Sequence, residues 1–187
     1  MTGHNSKPWI EQSLMSALLQ DYDNFDVIAM DAQTDDGTYE FLKEKEKEHD
    51  NLTVVRNEVR QYQPQNIYDG TRMSKDGSII ITLDFDDCLL HKDVLNTLNK
   101  YYNDNVWMTY GSYVKSSNGH VAGFGRYSDQ VIKDNAFRKD QWRSTHLRTF
   151  RRELYFHIDE KDLKNDDGEW FKVAGDLTFM WPMLEMC

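Results

Sequence analysis

The run Ser78-Ile79-Ile80-Ile81-Thr82-Leu83 ends abruptly in Asp84-Phe85-Asp86-Asp87, and Asp76-Gly77 supplies a turn just before it. A continuous apolar, β-branched run of this length reads as a buried strand. Strands buried on both faces belong to parallel sheets covered by helices. Three carboxylates then leave the carboxyl end of the strand, where open α/β sheets bind their ligands. Asp84 and Asp86 are two apart, so in extended backbone they point the same way. Like charges that close repel one another unless a cation or a shared proton relieves them. Hard divalent ions take oxygen ligands of this kind. The alternative is a solvated turn in which Asp86 or Asp87 caps the next helix.

The rest of the chain supports an α/β reading. Helical spacing predicts helices over Pro8 to Gln20 (Ile10, Leu14 and Leu18 on one face, Asn5 or Ser6 as cap), Thr38 to Glu48, Ile67 to Lys75 and Val94 to Tyr101. Short apolar runs predict strands at Val27 to Met30, Leu52 to Val55 and Val106 to Tyr110. This alternation implies a mostly parallel sheet with helices on both faces. Residues just past the strands, among them Asp31, Arg56 and Asn57, are therefore candidate ligand contacts. The second half is less regular. Ser116 to Asp129 reads as loop, and Leu147 to Ile158 as a helix with Leu147, Phe150, Leu154 and Ile158 on one face. Asp159 to Glu169 reads as an acidic loop, and Asp176 to Met186 as a helix kinked at Pro182.

Composition limits the partners. The 187 residues carry a formal net charge of -10, which argues against a nucleic-acid backbone. An acidic protein that binds a diphosphate needs local positive charge, and a divalent cation is the usual source. Aromatic residues make up 13% of the chain, and both core packing and sugar-binding ring faces use them. Trp107, Trp142 and Trp181 are candidate sugar platforms, with core packing the simpler role for each. Two cysteines, Cys88 and Cys187, give no disulfide framework and fit a reducing, cytoplasmic location. No apolar run approaches the roughly 20 residues of a membrane span, and no signal peptide follows Met1.

Two families place Asp-x-Asp after such a strand. Leu83-Asp84-Phe85-Asp86-Asp87-Cys88-Leu89 resembles the first motif of haloacid-dehalogenase-like phosphohydrolases, which implies Asp84 as nucleophile. Those enzymes carry this strand near the N-terminus and a second late acid, which Leu177 to Met180 does not supply. The ordered set of segments resembles family-2-like inverting glycosyltransferases of the GT-A (Rossmann-like) fold over nearly the whole chain. Its pieces are Thr2-Gly3-His4-Asn5, Trp9 to Gln20, Val27 to Asp31 with Thr34-Asp35-Asp36-Gly37-Thr38, and Ser74 to Asp87. Trp142 to Phe150 and Gly175 to Met186 are similar to a subgroup tied to bacterial and large-virus surface glycans, which would include the N-terminal domain of a large algal-virus enzyme.

That resemblance implies one domain over residues 1–187, with a nucleotide-binding half (1–90) and an acceptor-binding half (91–187). Both ends read as truncated, since Met1 to Asn5 reads as a loop with almost no strand before it and Met186-Cys187 ends inside an apolar helical pattern. It implies transfer of a sugar, with inversion, from a UDP-sugar to a hydroxyl of a glycan or glycoprotein acceptor. Thr2 and Asp31 would contact uracil, Asp84 the ribose and the metal, and Asp86 would ligate Mn2+ or Mg2+. Arg72 would pair with phosphate, with a solvated helix face the simpler role. Asp176, at the start of a late helix, would be the base, and His146 and Arg148 would bind acceptor or phosphate. A viral member would act in the host cytoplasm. A module that binds metal or glycan without catalysis, with Asp84, Asp86 and Asp87 as a calcium site, is the non-enzymatic alternative.

Overall fold

A computed structural model describes residues 1–187. In chain order the elements are β1 (Thr2–Gly3), α1 (Ile10–Leu18), β2 (Val27–Asp31), α2 (Thr38–Glu46), β3 (Leu52–Arg56), α3 (Gln63–Met73), β4 (Ile79–Thr82), α4 (Val94–Tyr102), β5 (Met108–Gly111), β6 (Tyr113–Val114), β7 (Val121–Ala122), α5 (Asp129–Lys133), β8 (Thr145–Arg151), α6 (Arg152–Tyr155) and α7 (Gly175–Met186). They form two compact units. One comprises Met1–Met73 and Thr82–Val106, the other Ser74–Ile81 and Trp107–Cys187. No helix is long and apolar enough to cross a membrane.

The first unit is built on a parallel sheet in the order β1-β2-β3. Met30 sits opposite Thr2, Asp31 opposite Gly3, and Arg56 opposite Asp31. On the far edge of β1, Thr2 donates to the Leu83 carbonyl at 3.1 Å and accepts from Phe85 N at 2.9 Å. The chain leaving β4 thereby runs parallel to β1. The helical spacing of α1 buries Ile10, Leu14 and Leu18 together with Ser13 and Ala17. Its start differs from expectation. The Ser6 carbonyl, not a side chain, accepts from Trp9 N and Ile10 N, while Asn5 bonds to Asp35. Helix α3 begins four residues before the expected Ile67, because Pro64 fits a first turn, where its missing N–H has no partner to lose.

The second unit holds a sheet in the order β4-β8-β5 and a β6-β7 hairpin. Here one expectation fails outright. Residues 145–151 of the expected Leu147–Ile158 helix and its approach are strand, paired antiparallel with β5 (Met108 with Phe150, Thr109 with Thr149). Only Arg152–Tyr155 is α-helical. Leu147, Phe150 and Leu154 imitate a helical repeat, but β-branched Thr145 and Thr149 suit a pleated surface, and pairing with β5 decides between the two. The Thr109 and Thr149 hydroxyls meet at 2.6 Å across the ladder. The segment expected as loop from Ser116 contains β7, and Ser128 accepts from Val131 N to cap α5. Helix α7 has the expected extent and carries Pro182 inside it. The core rings include Phe150, Tyr155 and Phe179, with centroids 5.4 to 6.2 Å apart.

Gly3 is a packing requirement. A Cβ there would lie 2.4 Å from the fully buried Phe85 ring. Gly3→Ala is expected to cost about 1–3 kcal/mol in urea unfolding, through overpacking of β1 against Phe85. Asp36 ties the loop before α2, accepting from Thr38 N, Thr38 Oγ1 and Lys7 N at 3.0, 2.6 and 2.8 Å. Partial burial pushes the Asp36 carboxyl up, but the bonds from Thr38 and Lys7 together outweigh it and hold the group below its ordinary value of 3.8. A depressed carboxylate contributes stability above its unfolded value and loses it as pH falls through the folded value. Asp36→Asn should therefore be less stable than the native chain near neutral pH, and the gap should close as unfolding is measured below about pH 4.

Candidate active site

In the first unit the parallel register gathers Thr2, Asp31 and Asp84 at the carboxyl ends of adjacent strands. Asp31 lies beside Gly3, and Asp84 bridges to Thr2 from the other side. The Asp31 carboxylate is fully buried, its oxygens 3.3 and 3.4 Å from Thr34 N. These bonds are long, so they use its acceptor capacity weakly. Arg56 Nε stands 3.6 Å from Asp31 Oδ2, while its Nη2 donates to Thr34 O at 2.7 Å and its guanidinium covers the Tyr39 ring. Asn57 N donates to Asp31 O at 3.0 Å, and Asn57 Nδ2 donates to the buried Asn66 Oδ1 at 2.6 Å. Arg72 is exposed on α3, where Nη1 donates to the Tyr68 hydroxyl at 2.9 Å.

The carboxylate motif is a turn, not an extended strand end. Asp87 N donates to Asp84 O at 3.1 Å, with Phe85 and Asp86 at the bend. The alternation expected for Asp84 and Asp86 is lost at this bend. The turn instead brings the carboxylate oxygens of Asp84 and Asp87 within 4.8 Å of each other, and Asp86 is exposed. Neither Asp86 nor Asp87 caps the next helix, because α4 starts only at Val94. The turn is pinned from α1. The buried Ser13 hydroxyl lies 3.2 Å from Asp84 O and 2.5 Å from Asp87 O, and Ser16 Oγ accepts from Leu89 N at 3.0 Å. Gln63, on α3, donates to Asp84 Oδ1 at 2.9 Å. The close pair of carboxylates fits a divalent cation, since hard ions take clustered oxygen donors. Ser13, Gln63 and Asn66 escaped sequence reasoning. Ser13 reads as one more helical residue, and the other two lie in Gln61-Tyr62-Gln63-Pro64-Gln65-Asn66, which has no periodic signal.

In the second unit, β8 and the first turn of α7 bring His146, Arg148 and Asp176 together. Arg148 Nη2 donates to Asp176 Oδ2 at 2.7 Å, and Nη1 lies 3.1 Å from His146 Nε2. The other Asp176 oxygen accepts from Leu177 N at 3.1 Å. Tyr113 meets the His146 ring edge-on at 5.9 Å. Of the candidate platforms, Trp142 and Trp181 pack edge-on against each other at 5.9 Å. Trp107 is 42% exposed, with Arg151 above its ring.

Residues 1–159 match the sequence model of glycosyl transferase family 2. No curated protein matches the chain. Among solved structures, it is similar to the mannosyltransferase PcManGT from Pyrobaculum calidifontis in complex with GDP-Man and Mn2+. That match has 21% identity and a TM-score of 0.60, over 83% of this chain and 45% of that one. S. aureus TarS is 19% identical with a TM-score of 0.68, over 98% of this chain and 54% of that one. TarS in complex with UDP-GlcNAc reaches a TM-score of 0.70 at 15% identity, over 98% of this chain and 52% of that one. The chain thus spans about half the length of the solved structures it matches. The fold is GT-A, as the resemblance implied.

The pinned turn yields a direct test. Asp87→Asn is expected to weaken Mn2+ binding about tenfold or more in isothermal titration. Ser13→Ala, which strips the turn of its buried tie to α1, is expected to cost about 1–3 kcal/mol in urea unfolding.

Proposed function

Because the chain belongs to glycosyl transferase family 2, we propose that it moves a sugar from a UDP-sugar to a hydroxyl of a glycan acceptor, with inversion and with a divalent metal. The observation that carries this reading is the row of strand ends that sets Thr2, Asp31 and Asp84 side by side, with the Asp87 carboxylate turned back to Asp84. Binding of UDP-GlcNAc by TarS, and of GDP-Man with Mn2+ by PcManGT, supports a nucleotide-sugar donor and Mn2+.

In this reading residues 1–90 bind the nucleotide and residues 91–187 the acceptor. Thr2 and Asp31 contact the base, Asp31 accepting from its ring N–H, and Arg72 serves the phosphates. Asp84 and Asp86 hold Mn2+ or Mg2+, and Asp87 is a third oxygen donor near Asp84. A bound divalent ion offsets the charge that builds on the departing diphosphate. Asp176 takes the proton of the acceptor hydroxyl. The oxygen so released forms its bond to the anomeric carbon on the face opposite the leaving group. The bond from that carbon to the phosphate oxygen breaks, and its electron pair leaves on UDP. The two free thiols, Cys88 and Cys187, support a reducing compartment, the cytoplasm.

Calorimetry of UDP with and without Mn2+, on the native chain and on Asp86→Ala, tests this reading. Expected are metal-dependent binding by the native chain and loss of that binding in the variant. Absence of UDP binding under every condition overturns the proposal. With a transferable sugar and acceptor in hand, Asp176→Asn should lower kcat by about 100-fold or more while leaving UDP binding in place.

A further inference from the structure

We propose that Arg148 is a positioning residue: a single buried guanidinium that fixes the carboxylate of Asp176 and the tautomer of His146 at once, and does not itself bind acceptor or phosphate. The proposal rests, for its catalytic consequence, on Asp176 being the base of the transfer reaction.

The geometry is that of a fork with its prongs committed. Arg148 lies on β8 and is only 5% exposed. Its Nε donates to the Ser144 carbonyl at 3.0 Å, Nη1 reaches His146 Nε2 at 3.1 Å, and Nη2 donates to Asp176 Oδ2 at 2.7 Å. A guanidinium is planar and carries its five N–H groups in fixed directions, so three such contacts to three different residues leave the head group no freedom to turn. Asp176 is held from both sides, by Arg148 on Oδ2 and by Leu177 N on Oδ1. Its rotamer is therefore set by β8 as much as by α7.

The second consequence concerns His146. A guanidinium only donates, so the contact to Nε2 is a hydrogen bond only when Nε2 offers its lone pair. The proton of the neutral ring then sits on Nδ1. The tautomer of a histidine is set by what its ring nitrogens meet, and Arg148 is a partner at Nε2. Backbone packing is close here: a Cβ at Gly111 on β5 would come within 3.1 Å of the His146 carbonyl, a tight contact that glycine avoids. Tyr113 closes on the ring edge-on. One arginine thus couples an acid on a helix to a histidine on a strand. Lysine, with one compact ammonium in place of a planar fork, cannot reproduce the coupling.

The test uses the full chain with Arg148→Lys and Arg148→Met, each checked for a native-like thermal unfolding transition. The first readout is long-range proton–nitrogen NMR of His146 at pH 8. The native chain should give the pattern of an Nδ1-protonated ring, and both variants should lose it. The second readout is kinetic. In Arg148→Lys, kcat should fall about 100-fold, the scale of a misplaced reacting group, while KM for the UDP-sugar stays within about twofold. An unchanged His146 tautomer in both variants overturns the proposal, as does a rise in KM with kcat preserved, which would make Arg148 a ligand-binding residue. If the variants unfold, Asp176→Asn and Asp176→Ala decide it: native Nδ1 protonation retained in both supports an Arg148–His146 contact set on β8, and its absence from the native chain overturns it. Failure of the transferase reading would show as no transfer by the native chain at all, and the NMR result stands apart from that.

Discussion

The two residues Thr2 and Gly3 bear strands on both edges. On one side the Met1 and Gly3 carbonyls accept from Met30 N and Ala32 N, on the other Thr2 bonds to Leu83 and Phe85, and Gly3 packs close to the Phe85 side chain. Everything in the first unit that has chemical interest is measured from this seam. The parallel register carried across it sets Asp31, Thr2 and Asp84 at one end of the sheet. It also fixes where the chain must turn after Leu83. A side chain at position 3 would collide with Phe85, so glycine sits at this seam.

Carboxylates gathered in this way must be held against their own repulsion. Part of the holding is done by neutral donors drawn from distant parts of the sequence. Gln63 donates to Asp84, and Ser13 ties the carbonyls of Asp84 and Asp87 to α1. Asp31 lies within 3.6 Å of Arg56, whose guanidinium also stacks on Tyr39. In the second unit the same problem has an ionic answer, with Arg148 set on Asp176. A neutral donor leaves a carboxylate able to take a cation, whereas a guanidinium occupies it and fixes its direction. The difference agrees with the separate roles proposed for Asp84 and Asp176.

Much of the first unit was legible in the sequence because its signals are local. The apolar spacing of Ile10, Leu14 and Leu18 and the short runs at Val27 and Leu52 each reflect one element burying one face. The second unit resisted for the opposite reason. Leu147, Phe150 and Leu154 fit a helical repeat, and only the ladder from Met108 to Gly111 makes their segment a strand. The exposed bend at Asp86 was likewise invisible, since alternation assumes extended backbone and the turn is enforced by Ser13, more than 70 residues earlier.

The sequence by itself determined the α/β class, the order of β2, β3 and β4 along the chain, and the acids Asp31 and Asp84 at the ends of the first and last of them, because burial and charge are written into residue type and spacing. Only the tertiary structure decided which carboxylates meet, that Gln63 and Ser13 serve them, and that Arg148 reaches both His146 and Asp176. Those outcomes depend on hydrogen bonds between residues far apart in the chain, and no local pattern of hydrophobicity or propensity records which distant donor a given oxygen will find.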